Sequence, residues 1–214
     1  MYIPKHFEIT EWSQILPFVA AARAADLITV DSSGQPLATL MPCNWIVGEI
    51  FEDEYGWLLM HMSKANEQWK SILPGAKGLA IIRGPQAYIS PTNYERKTTD
   101  HKVVPTWNYQ AVHLSGTVEI SEDIEVLRGI VTDLTQIHEA GREKSWSASE
   151  SNPTYFEAQL RGIVAVTLKV TKVEAVYKLS QNRSAEDRKR IADDLSHSAL
   201  AEERLIAEQM KRQL

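Results

Sequence analysis

Hydrophobic and polar residues alternate along 110–120: Val112, Leu114, Gly116, Val118 and Ile120 take one side, His113, Ser115, Thr117 and Glu119 the other. A period of two is the pattern of a half-buried strand. A longer signal covers 163–179, where Val164, Val166, Leu168 and Val170 share one parity and Val173, Ala175, Tyr177 and Leu179 share the other. The change of parity predicts a bulge near Thr171-Lys172, a device that bends a barrel strand. Residues 57–62 form an almost unbroken apolar run, which suits a strand buried on both faces. Further strands are predicted at 27–31 and 36–48 about a Ser32-Ser33-Gly34-Gln35 hairpin turn, with Pro42 marking a bulge or an edge. Two more are predicted at 77–83 and 86–90 about a Gly84-Pro85 turn.

Helical spacing fills the intervals. Thr10 is placed to cap a helix over 11–25, in which Pro17 predicts a kink or a restart. A short helix carrying Trp69, Ile72 and Leu73 is stopped by Pro74-Gly75. Ser121 is read as the cap of a helix whose Ile124, Leu127, Val131, Leu134 and His138 recur on one face. Another short helix is entered through Pro153, and a capping-box-like Ser184 to Asp187 opens a charged helix or helix pair. Residues 52–56 read as an acidic loop and 91–102 as the most basic segment. The predicted class is mainly β with flanking helices (α+β), antiparallel, forming a small closed or split barrel. The barrel is assigned to residues 1–180 and a C-terminal helical extension to 181–214.

Composition narrows the function. A net charge of −5 argues against a generally basic nucleic-acid surface. The single Cys43 allows no internal disulfide, which points to a reducing, cytoplasmic setting. No apolar run reaches membrane length, so a membrane partner is not expected. His6, His61, His101, His113, His138 and His197 are scattered without metal-ligand spacing, and no metal is expected.

Three stretches carry candidate chemistry. His61-Met62-Ser63-Lys64-Ala65-Asn66 lies at a strand-to-helix transition, where a hydroxyl, an ammonium and free N–H groups suit a phosphate. A plain cap by Ser63 or Asn66 beside a solvated Lys64 is the alternative. Thr39 could offer its hydroxyl from a neighbouring strand, or serve as an ordinary sheet threonine. Glycine fingerprints for dinucleotides or phosphates are absent, so any phosphate contact here is of the side-chain kind. Val104-Pro105-Thr106-Trp107-Asn108-Tyr109 places four polar-tipped side chains in a row, either a ligand site or a Trp/Tyr plug. Gln181-Asn182-Arg183 ends the long strand, where Arg183 could reach a ligand or pair with Asp187 across a helical turn.

Taken together, these motifs resemble those of the PaiB-like proteins, FMN-binding negative transcriptional regulators of the split-barrel class related to pyridoxamine-phosphate oxidase. The resemblance rests on Met1-Tyr2-Ile3-Pro4, His61 to Asn66 with Gln68-Trp69, Tyr88-Ile89-Ser90-Pro91, Val104 to Tyr109 with Ala111-Val112-His113 and Gly116, and Leu179 to Arg183 with Asp187-Arg188. It implies an FMN-binding split β-barrel and a homodimer with FMN at the subunit interface. It further implies that Ser63, Lys64 and Asn66, with Thr39 on the adjacent strand, hold the flavin phosphate, and that His61 also binds the cofactor. Thr106, Trp107 and Asn108 would meet the ring edge, with Gln181 and Arg183 approaching from the other subunit. DNA is implied as a further partner; a flavin-dependent oxidoreductase or flavin reductase on the same fold is the alternative. The chain departs from the family pattern at Leu40-Met41, where a His before Pro is usual, and at Asn93, where Trp is usual. Both departures are expected beside the flavin ring.

Overall fold

The computed structural model describes residues 1–46 and 55–213, so the end of the 36–48 strand and the acidic residues 52–54 lie outside the described residues. In chain order the elements are β1 (Glu8–Ile9), α1 (Trp12–Ala21), β2 (Ala24–Val30), β3 (Pro36–Ile46), β4 (Trp57–Ser63) and β5 (Lys77–Ile89). There follow α2 (Arg96–Thr99), β6 (Thr106–Ser121), α3 (Ile124–Glu139), α4 (Pro153–Leu160), β7 (Ile163–Lys178), α5 (Ala185–Ser196) and α6 (Ala201–Lys211). Among the described residues the strands form one seven-stranded sheet in the order β1-β7-β4-β3-β2-β5-β6, and β6 pairs again with β7. The pairings β1–β7, β7–β4, β4–β3, β3–β2 and β2–β5 are all antiparallel. The expected mainly-β class with flanking helices is what the chain adopts.

Two compact units divide the chain: Met1–Ile15, Arg83–Val112 and Glu174–Leu214 make one, Leu16–Ile82 and His113–Val173 the other. In the second unit six strands follow one another round a closed ring. Its seam lies where β6 meets β7, and there the backbones touch. A Cβ on Gly116 would sit 1.9 Å from the Lys169 carbonyl oxygen. Only glycine permits that approach. On the other side β6 meets β5, with the Val118 N–H donating to Ala76 O at 2.9 Å.

β4 shows how the ring sorts its side chains. Leu58, Met60 and Met62 are buried, while Trp57, Leu59 and His61 are only half-covered. The strand expected to be buried on both faces therefore alternates. Its outer face receives α3, whose Leu127, Ile130 and Leu134 pack with Leu160 and Ala165 against Leu59. On β3, Met41 and Cys43 face inward, and Leu40 and Pro42 face out. Pro42 stands where β3 leaves β2 (Ala24↔Pro42) and takes up β4 (Cys43↔Met60). A residue without an N–H fits such a change of partner.

The first unit holds a small core of Phe7, Ala111 and Val176, with Ile3 and Tyr109 packed on it. Its helical hairpin α5–α6 buries Ile191, Ala192, Ile206, Ala207 and Met210 completely. The loop after β5 is tied to α5. The Glu95 N–H donates to the buried Asp187 carboxylate at 2.9 Å, Asn93 Nδ2 donates to Asp194 at 2.8 Å, and Arg190 pairs with Asp187.

Several local expectations change. β5 runs unbroken through Gly84-Pro85, because a Gly-Pro pair can interrupt ladder bonding without reversing the chain. α1 runs through Pro17 and stops at Ala21, short of the expected 25. The cap of α3 is Asp123, whose Oδ1 accepts from the N–H groups of Glu125 and Val126 at 2.8 and 3.3 Å. Ser121 instead accepts from Asp123 N. The helix after Asn66 is a five-residue 3-10 turn, Glu67–Ser71. By contrast, the parity change in β7 is present, with Thr171 and Lys172 exposed between the two buried series.

The close seam yields a stability prediction. Gly116→Ala should cost at least ~1–3 kcal/mol through overpacking, read as a fall in thermal midpoint. An unchanged midpoint would mean that β6 and β7 do not touch at this residue.

Candidate functional site

The loop leaving β4 is built from a closed set of hydrogen bonds. Lys64 N donates to Gly162 O at 2.9 Å, Asn66 N to Ser63 O at 3.0 Å, Ala65 N to Ser63 Oγ at 3.2 Å, and Gln68 N to the Asn66 side chain at 3.0 Å. These donors are occupied, so the open N–H groups expected at a helix start are not what this loop offers. The polar groups that remain are the Ser63 hydroxyl proton and the Lys64 ammonium. The ammonium is met at 2.6 Å by the carboxylate of Glu122, from the turn before α3.

Thr39 faces the side of β3 that carries Met41 and Cys43, away from Leu40 and Pro42. Its hydroxyl donates to Gln68 Oε1 at 2.5 Å and accepts from Asn66 Nδ2 at 2.9 Å. Gln68, buried, passes its own amide protons to Thr29 Oγ1 at 3.0 Å and to the carbonyls of Leu27 and Leu37 at 3.3 Å. Thr39 and Asn66 thus fasten the 63–69 loop to β2 and β3. A satisfied buried network of this kind fixes one geometry.

His61 lies two residues before Ser63 on the same outer face of β4. It forms part of the wall of an open groove of about 800 Å3, with Leu40 and Pro42 from β3, His138 from α3, and Arg142 and Trp146 beyond it. His61 Nδ1 is buried without a hydrogen-bond partner. Burial holds the imidazole below its ordinary pKa of 6.5. The groove combines apolar walls with a few convergent polar groups, and its volume is within the range of cofactor pockets. The Met41 departure lies in the core, on the far side of the strand from this groove.

Thr106, Trp107, Asn108, Gln181 and Arg183 belong to the other unit. Thr106 Oγ1 accepts from Lys178 Nζ at 2.7 Å, and that ammonium lies 5.8 Å from the centre of the Phe7 ring. Burial depresses the Lys178 pKa. Trp107 is 45% exposed and Tyr88 48%; the rings meet edge to face at 6.5 Å, and the indole N–H donates to Gln86 at 3.1 Å. Asn108 is wholly buried and exchanges hydrogen bonds with Ser180, at 3.0 and 3.2 Å. Gln181 turns back on its own strand end, accepting from Leu179 N at 2.7 Å. Arg183 stacks over the Tyr94 ring at 4.4 Å, not on Asp187.

The structure therefore brings Thr39, His61, Ser63, Lys64 and Asn66 together in one unit, and the remaining five in the other. Sequence reasoning missed three partners that define these sets: Glu122, Lys178 and the anchoring role of Gln68. Gln68 alone left a trace, as an amide beside Trp69 in a matching motif. Glu122 and Lys178 sit far from their partners in sequence, and nothing local marks them.

Comparison with known proteins bears on this arrangement. Residues 1–172 match a family described as "Putative FMN-binding domain". The chain is 32% identical over 214 residues to the protease synthase and sporulation protein PAI 2 of Bacillus subtilis (strain 168), covering all of this chain and 98% of that one. Among solved structures, the FAD and Heme binding protein from Mycobacterium smegmatis superposes with a TM-score of 0.57 at 15% identity, over 85% of this chain and 78% of that one. The flavocytochrome Anf3 from Azotobacter vinelandii does so at 0.56 and 12%, over 82% and 72%. At these identities the likeness to the solved structures is one of fold.

His61 yields a pH prediction. Its folded-state pKa lies below the unfolded value of 6.5, so the unfolded chain binds the proton more readily and acid favours unfolding. Stability should be fully present above pH 6.5 and fall as pH drops through and below it. His61→Gln should flatten that fall in denaturant titrations. An equal fall in the variant would assign the acid sensitivity to other groups.

Proposed function

We infer that this chain, which belongs to the FMN-binding domain family, has the flavin split-barrel fold and takes FMN as its cofactor, holds FMN along the outer face of β3 and β4. In this reading the phosphate lies at Ser63 and Lys64 and the ring in the groove beside His61. One observation carries it: His61, whose Nδ1 is buried and unpartnered, lines an open groove, and just beyond it on the chain Ser63 and Lys64 offer a hydroxyl and an ammonium, the ammonium held only by the exposed Glu122 among the described residues. Buried polar atoms are normally hydrogen-bonded, so an orphan beside a groove supports a ligand there. When bound, FMN supplies hydride and one-electron chemistry. The chain's own residues bind and orient it: Lys64 supplies charge, Ser63 a hydroxyl donor, His61 a ring nitrogen, and Thr39, Asn66 and Gln68 keep the loop in place.

The assembly proposed is a homodimer, with Thr106, Trp107, Gln181 and Arg183 of a second copy approaching the cofactor. Exposed Tyr88, Trp107 and Val104 support a surface that a second copy covers. Asn108, committed to Ser180, serves in this reading to hold its strand. The full-length similarity to PAI 2 supports a PaiB-type negative regulator of transcription in the cytoplasm, with buried Cys43 suited to a reducing compartment. No described helix is long and apolar enough to cross a membrane. The mixed charge of α5 and α6 and the net charge of −5 favour, as a second reading, a flavin-dependent oxidoreductase using the same site. A regulator binds a defined DNA site with affinity that falls steeply with salt; an oxidoreductase turns over reduced nicotinamide.

Lys64→Ala should weaken FMN by ~1–3 kcal/mol, the scale of a lost charge-assisted hydrogen bond, measured by flavin fluorescence titration. Unchanged affinity would move the phosphate elsewhere. Trp107→Glu should lower the mass seen by light scattering from dimer to monomer. A wild-type protein that is already monomeric with FMN bound would remove the second copy from the site.

A further inference from the structure

The Lys64 ammonium is already held by an anion. Glu122 reaches it at 2.6 Å, although the side chains are 35% and 56% exposed. Glu122 is presented from a fixed turn. On one side Ser121 Oγ accepts from Asp123 N at 3.1 Å; on the other Asp123 caps the sixteen-residue α3. The carboxylate is therefore delivered to Lys64 by the start of a rigid helix. An exposed pair of this kind is weak and displaceable. A phosphate group carries nearly two charges and three strong acceptor oxygens, and it could also accept from the open Ser63 hydroxyl.

The geometry points to Glu122 as a built-in competitor for the phosphate of FMN, setting how tightly the phosphorylated flavin is held relative to riboflavin. The inference rests on the reading that the phosphate lies at Ser63 and Lys64. Glu122 keeps Lys64 paired in the empty protein and excludes weaker anions. A phosphate displaces it, and the freed carboxylate remains nearby as a like charge that weakens the complex. Riboflavin has no phosphate and gains nothing from Lys64, so Glu122 does not affect it. Because the competition takes place at the phosphate, its effect is on affinity and exchange of the cofactor, with no change to the ring's surroundings.

The test is a fluorescence titration of wild-type protein, Glu122→Gln, Glu122→Ala and Lys64→Ala with FMN and with riboflavin at low ionic strength. Both Glu122 variants should bind FMN ~2–5-fold more tightly, with riboflavin affinity unchanged and the melting temperature held. Equal shifts for both flavins, or no shift for FMN, would overturn the inference. The Lys64 variant separates the two ideas. If it abolishes the preference for FMN while the Glu122 variants do nothing, the competition fails and the phosphate site stands. If it leaves the preference intact, the phosphate is held elsewhere and both fall.

Discussion

Two backbones touch where β6 crosses β7, and nothing larger than a hydrogen at position 116 fits between them, since a Cβ would fall 1.9 Å from the Lys169 carbonyl. This contact closes six strands into a ring. Once the ring is closed, every strand must send alternate residues inward, and the register of each strand decides what is left outside. On β4 the inward set is Leu58, Met60 and Met62. What remains outside is Leu59, His61 and Ser63. Leu59 is covered by α3; His61 and Ser63 are left for chemistry. A shift of one residue would exchange the two sets completely, so the site depends on the closure as directly as the core does.

Polar groups near the end of β4 fall into two kinds. Thr29, Thr39, Asn66 and Gln68 satisfy one another across β2, β3 and the following loop. They form the frame. Ser63, Lys64 and His61 keep binding capacity that the frame does not use, apart from the exposed Glu122 on Lys64. A frame that is satisfied internally holds its neighbours in position before a ligand arrives, which spares the ligand the cost of ordering the loop. The distinction also explains why Thr39 is adjacent to the site in sequence pattern yet faces the other side of its strand.

Much of the ring was legible because its evidence is local. Val112, Leu114, Val118 and the two series of β7 apart from half-buried Val173 are buried as their alternation indicates, and the parity change at Thr171-Lys172 is real. Errors arose where two local rules compete. Gly84-Pro85 is a turn signal by composition, yet the sheet carries β5 through it. Ser121 and Asp123 are both good caps, and the helix took the later one. At the candidate site, the residue types and the His61 to Asn66 stretch were readable. Their pairings were not, because Glu122 meets Lys64, and Lys178 meets Thr106, across long chain separations with no periodic signature. Met41, expected beside the flavin ring, is buried in the core because it shares its side of β3 with Cys43.

In the proposed binding mode one face of β3 and β4 holds FMN, phosphate at the Ser63–Lys64 end and ring beside His61. A crystal structure of the protein with FMN tests it most directly. The expected result is phosphate oxygens within hydrogen-bonding distance of Lys64 Nζ and Ser63 Oγ, Glu122 withdrawn, and a flavin atom or an ordered water bonded to His61 Nδ1. A flavin bound with its phosphate away from Lys64, and His61 Nδ1 still unpartnered, would contradict it.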